Sequence, residues 1–100
     1  MDIADLKDNA SRASDLLKVM ASQSRLMILC NILEGEKSVQ QLQGDVGLSQ
    51  SALSQQLAIL RGQKLVTTRR EAQSVFYSLA SDEAKTLIGT LYNIYCAPKA

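Results

Sequence analysis

The stretch from Gly44 to Leu65, GDVGLSQSALSQQLAILRGQKL, decides how the chain folds. Gly47 can take the left-handed backbone that ends a helix, and Ser49 can accept hydrogen bonds from the free amides that open the next one. The connection between them is about three residues, the length that a helix-turn-helix requires. Leu53, Leu57 and Leu60 recur at i, i+4 and i+7, which lays one stripe of the second helix against the body of the domain. At about 100° per residue, Ser51 and Gln55 fall roughly opposite Leu53, Ser54 flanks them, and Gln50 projects from the first turn. Glutamine can bond both N6 and N7 of adenine, and serine can donate or accept at several base edges, so this face suits the major groove of DNA. A solvated helix face has the same composition, so the choice rests on what surrounds it.

Downstream lies LVTTRREAQSVFYSL, in which Val66 to Arg70 and Val75 to Leu79 are rich in β-branched and aromatic residues about a polar centre at Glu71 to Ser74. This pattern predicts a hairpin. A hairpin directly after a helix-turn-helix is the wing of a winged-helix domain, with Arg69, Arg70 and Gln73 near its tip, within reach of phosphate or minor groove. Adjacent arginines also occur on hairpins simply as solubilising groups. Upstream, Ser38 and Gln41 have the spacing of a capping box, with Leu42 and Val46 as the apolar side of a short helix. Gly44 inside that helix costs roughly 1 kcal/mol against alanine and is expected to permit close approach of a neighbour.

Ser22 can cap a helix running to about Leu33, with Gly35 as its stop. Leu26, Leu29, Cys30 and Leu33 form its inward stripe, so Cys30 is expected at or near the core. Ile3, Leu6, Ala10, Ala13, Leu17 and Met20 mark an amphipathic first helix. Ser81, Asp82 and Glu83 open a last helix whose apolar stripe runs from Ala84 to Tyr95, stopped by Pro98. The two end helices carry more apolar face than one small domain needs, which predicts a homodimer through them. The whole chain, 1–100, thus reads as a single mostly α domain of about five helices with a two-stranded β wing.

An apolar content of 46% suits a folded domain, though one with a small core. The net charge of +1 hides a division along the chain. Residues 49 to 80 carry Arg61, Lys64, Arg69 and Arg70 against Glu71, whereas residues 1 to 48 carry five basic and seven acidic side chains. Basicity therefore sits where phosphate would be met. No apolar run is long enough to cross a membrane and no leader is evident, so the expected location is the cytoplasm, with no membrane partner. In that compartment two cysteines are core packing, metal ligands or redox groups rather than a structural staple. Histidine is absent, which removes the commonest general base and metal ligand together. With no CxxC motif and no glycine-rich phosphate loop either, the chain does not read as an enzyme.

From Leu16 to Leu79 the sequence resembles the ArsR family of bacterial winged-helix repressors: MASQSRLMIL the start of its second helix, LSQSALSQQLAIL its recognition helix, RREAQSVFYSL its wing. The resemblance implies a homodimer on a pseudo-palindromic double-stranded operator, one recognition helix per half-site. It makes Gln50, Ser51, Ser54 and Gln55 base-facing and Arg69, Arg70 and Gln73 wing contacts. Gln56 stands where many members have histidine, which puts a backbone contact there in doubt. The cysteine and histidine sets of the metal-sensing members are missing, so neither metal nor cofactor is implied.

Cys30 in ILC and Cys96 in YNIYC are instead similar to the paired cysteines of the BigR, SqrR and HlyU subgroup. That likeness implies a dithiol that senses persulfides and releases operator on forming a disulfide or polysulfide bridge. Sulfide-oxidation genes are the targets it implies, with virulence or toxin genes, or a general redox response, as alternatives. Read from the residues alone, without that likeness, Cys30 is a packed core thiol and Cys96 a bystander in the last turn. Tyr92 and Tyr95 are expected either to shape the pocket around a bridge or to pack in the dimer.

Overall fold

The computed structural model describes residues 2–96, so the stop expected at Pro98 lies outside the described residues. The order of elements is α1 (Ile3–Met20), α2 (Gln23–Asn31), β1 (Lys37–Ser38), α3 (Val39–Val46), α4 (Gln50–Gly62), β2 (Val66–Glu71), β3 (Ser74–Leu79) and α5 (Asp82–Tyr95). Five helices and one small antiparallel sheet, among the described residues, make the winged helix-turn-helix that the pattern predicts. No helix among the described residues is long and apolar enough to cross a membrane.

Every helix starts on the residue whose side chain can satisfy its free amides. Asp2, Ser22, Ser38, Ser49 and Ser81 are the N-caps of α1 to α5 in turn. At α3 the capping box closes in both directions: Ser38 Oγ accepts from the Gln41 amide at 3.1 Å, and Gln41 Oε1 accepts from the Ser38 amide at 2.9 Å. Gly47, with φ of 75°, ends α3 in the left-handed conformation, and two residues later Ser49 caps α4. The tight turn of the motif is thereby built.

α2 is shorter than its apolar stripe suggests. It ends at Asn31, because the chain tightens into i→i+3 bonds from the Leu33 amide to the Cys30 carbonyl and from the Gly35 amide to the Ile32 carbonyl. α4 ends in a Schellman motif with no glycine at the left-handed position. Lys64 has φ of 61° and bonds back to the Arg61 carbonyl, while the Leu65 amide reaches the Leu60 carbonyl. Leu60 and Leu65, the apolar pair of that motif, are both buried in the core. This burial holds a lysine where glycine would be less strained.

The sheet has three strands in the order β1-β3-β2, not the two expected. The added strand, β1, pairs Lys37 with Tyr77 and Ser38 with Phe76. Two residues cannot display an alternating pattern, so it left no mark in the sequence. The wing turns through Ala72 and Gln73, with Ala72 at φ of 55°. Gly44 does not serve a close approach, contrary to expectation: a side-chain carbon placed there meets nothing within 4 Å. Ile28, Leu29, Leu42, Leu53, Leu60 and Ile88 are fully buried at the centre, joining α2, α3, α4 and α5 in one core. α1 contributes only Met20 to the buried set and leaves Ile3, Leu6 and Leu17 exposed.

Candidate nucleic-acid interface and dithiol site

The stripe of α4 that faces inward is Leu53, Leu57 and Leu60, at 0%, 3% and 0% exposure. Gln50, Ser51, Ser54 and Gln55 are all exposed on the other side of the helix. The four side chains expected at base edges thus share one accessible surface of a 13-residue helix. Gln56, next in line, is only partly exposed, and its Oε1 accepts from Arg25 Nη1 at 2.9 Å. Arg25 also donates through Nε to the Val19 carbonyl, so one guanidinium ties the end of α1 and the start of α2 to α4. Gln56 is drawn toward the body of the domain by that bond.

On the wing, Arg69 and Arg70 alternate across the strand and have different surroundings. Arg69 pairs in register with Phe76 and lies over its ring, 4.7 Å from the centroid. Its Nε and Nη2 fork onto Glu36 at 3.2 and 2.6 Å, and Nη1 donates to Glu71 at 2.7 Å. The Arg69 hydrogen bond holds the Glu36 carboxyl below its ordinary range, and the two carboxylates raise Arg69 further above its own. Arg70 and Gln73 are exposed. Among the described residues, Arg61, Lys64 and Arg70 make no ion pair. Sequence reasoning could not see Glu36 as a partner of the wing, since it lies before a strand that leaves no pattern.

The two thiols border the same open depression. Cys30 is half-buried and Cys96, at the C-cap of α5, is exposed, yet both line one apolar cavity of about 510 Å³ together with Ala21, Ser22, Leu26 and Met27. Cys30 also borders a second, more polar cavity with Tyr92, Glu34, Glu36 and Lys37. Tyr92 therefore shapes the surroundings of Cys30, whereas Tyr95 is 79% exposed. Arg25, the cation nearest Cys30 in sequence, spends its hydrogen bonds on Val19 and Gln56. Burial, and secondly the neighbouring Cys96, push the Cys30 thiol above its ordinary pKa. A raised pKa delays the thiolate, so brief iodoacetamide treatment is expected to modify Cys96 first. The rate at Cys30 should still be climbing above about pH 8.5, where a free thiol is already half ionised. Peptide mapping across a pH series measures both. The described residues hold no group of three or more Asp, Glu or Cys side chains suited to a metal ion.

Comparison with known proteins places this geometry. Residues 22–68 match the family model described as bacterial regulatory protein, arsR family. The transcriptional activator HlyU of Vibrio cholerae is 50% identical over 96 residues, covering 96% of this chain and 89% of that protein. Its reduced form superposes with a TM-score of 0.92, at 49% identity and over 95% of this chain and 100% of that one. The biofilm growth-associated repressor of Agrobacterium fabrum is 45% identical over 94% of this chain and 80% of its own. A homodimeric winged helix-turn-helix DNA-binding domain of Mycobacterium bovis superposes with a TM-score of 0.71, at 27% identity and over 91% of this chain and 82% of that one. These relatives match over most of the length described above, and the superposed structures share its fold. The chain belongs to the ArsR family and is a winged-helix transcriptional regulator, not an enzyme.

Proposed function

We propose that this regulator is a homodimeric repressor that releases a pseudo-palindromic operator when persulfides join Cys30 to Cys96. The observation that carries the reading is the shared apolar cavity, which brings together thiols from the second and last helices. The chemistry needs no oxidant beyond the inducer. A thiolate, first that of the exposed Cys96, takes the sulfane sulfur of R–S–SH and leaves the thiol R–SH. Attack on that new persulfide by Cys30 then gives a disulfide and releases hydrogen sulfide. If both cysteines are persulfidated first, one attacks the other to give a trisulfide, again with loss of hydrogen sulfide. A low thiol pKa is unnecessary, since the persulfide is itself the reactive partner.

α2 carries Cys30 and packs on α3 and α4, while Cys96 ends α5. A bridge therefore couples a candidate dimer element to the DNA-reading pair, and a change of about 1–3 kcal/mol in their relative stability suffices for release. Exposed Ile3, Leu6, Leu17, Ile94 and Tyr95 on α1 and α5 offer the dimer face. The homodimeric state of the Mycobacterium bovis relative supports it. Base edges would be read by Gln50, Ser51, Ser54 and Gln55, and the backbone met by Arg70 and Gln73. Arg69 is left out of this contact set because its guanidinium is already occupied. Sulfide-oxidation genes are the proposed targets, with virulence genes as a second reading favoured by the HlyU likeness.

Intact mass after treatment of the reduced protein with a small-molecule persulfide, with peroxide in parallel, tests the sensor. Loss of two hydrogens, or a net gain of one sulfur less two hydrogens, formed with persulfide and poorly with peroxide, supports it; two unmodified thiols overturn it. The DNA face has its own check. Gln55→Ala is expected to narrow the preference for operator over random duplex by about 1–3 kcal/mol, whereas Arg70→Ala weakens both alike and lowers the salt slope by about 1. Fluorescence anisotropy over a salt series separates the two, and parental behaviour of both variants would remove α4 and the wing from the interface.

A further inference from the structure

We infer that Arg69 is a positioning residue that straps the wing to the segment after α2, and not a phosphate contact. The inference rests on the DNA-binding reading above. All three nitrogen positions of the guanidinium are used: Nε and Nη2 on Glu36, Nη1 on Glu71. The group with its two carboxylates carries a net negative charge, which repels a phosphate rather than attracting one. To grip DNA, Arg69 would have to exchange a bidentate fork and a ring stack for a single exposed contact.

Its placement gives those bonds a mechanical use. Arg69 starts on β2, crosses the ring of Phe76 on β3, and reaches Glu36, which immediately precedes β1. The side chain therefore spans the sheet from one edge strand to the other. Without it, the hairpin keeps its packing on α3 and α4, but its only strand pairing with the preceding chain, among the described residues, is the two-residue β1. An isolated exposed ion pair stabilises little, but a forked, stacked and doubly paired arginine has the geometry that makes such a network count. Glu36 also borders the cavity that holds Cys30 and Tyr92. The strap thus joins the polar cavity beside Cys30 to the element that carries Arg70 and Gln73.

The test uses the whole 1–100 chain and a labelled duplex selected by the parent protein from a random-sequence pool. Positioning predicts that Arg69→Ala and Glu36→Ala each weaken binding about three- to tenfold, with the salt slope of the parent retained. Arg69→Lys, which keeps the charge and loses the fork, fails to restore affinity. Glu36→Ala is the decisive arm, since deleting a carboxylate beside DNA and freeing Arg69 would tighten binding if Arg69 met phosphate. Tighter binding by Glu36→Ala, rescue by Arg69→Lys, or a slope lowered by Arg69→Ala as by Arg70→Ala, overturns the strap. Hydrogen exchange in β2 and β3 needs no DNA and is expected to quicken in both alanine variants; unchanged exchange also overturns it. A parent that binds no duplex in a salt-dependent way defeats the DNA-binding reading itself, and the exchange result then still reports on the strap.

Discussion

With serine in place of Cys96, the regulator is expected to bind its operator as the parent does and to lose its response to persulfide completely. Cys96 is exposed at the C-cap of α5, so exchanging sulfur for oxygen there leaves no buried polar group unsatisfied and disturbs no core packing. The proposed operator contacts lie on α4 and the wing, so basal affinity should not move. The parent's affinity ratio between reduced and bridged states, of order five- to 150-fold for a coupling of 1–3 kcal/mol, should collapse to one. Cys30→Ser is expected to abolish the response equally, at a stability cost of about 1 kcal/mol because its hydroxyl enters a half-buried apolar site. Anisotropy titrations before and after persulfide treatment read both. A response that persists in either single variant would mean that one modified thiol is signal enough and the bridge is not the switch.

Leu53→Ala is expected to cost about 3–4 kcal/mol of folding stability, a large share of the roughly 5–15 kcal/mol that holds a domain together. Leu53 is 0% exposed and sits in the middle of the stripe that seats α4 on the core. Its loss leaves a cavity at the base of the DNA-reading helix. Ser54→Ala, one residue on and exposed, should stay within about 0.5 kcal/mol of the parent. Urea denaturation at fixed protein concentration gives the comparison, since the proposed dimerisation would make apparent stability depend on concentration. Similar costs for the two variants would mean that α4 is not seated on the face described.

Much of this architecture was legible because its signals are local. Ser49 caps the amide of Ala52, and Leu53, Leu57 and Leu60 share a face because a helix repeats every 3.6 residues. The hairpin showed itself through β-branched and aromatic residues on either side of a polar turn, although its left-handed residue is Ala72 and not a glycine. Where the same kind of reading went astray, the cause was packing. Gly44 was expected to admit a neighbour and borders open space, and α2 stops short of Leu33 because the chain closes into tighter turns. β1 is too short to write any period into the sequence.

By itself, then, the sequence determined the helix-turn-helix, the wing and the family, since caps and periodicities act between residues a few positions apart. Tertiary structure alone decided which polar groups are available. Arg69 looked like Arg70 until Glu36, thirty-three residues earlier, was brought across the sheet to hold it. Gln56 was one of a run of polar residues on α4 until Arg25, thirty-one residues away, drew it inward. Cys30 and Cys96 came together only when α5 packed on α2. No residue type records its partner across such separations, because the encounter is made by burying Ile28, Leu29 and Ile88 in one core and not by any preference of the residues that meet.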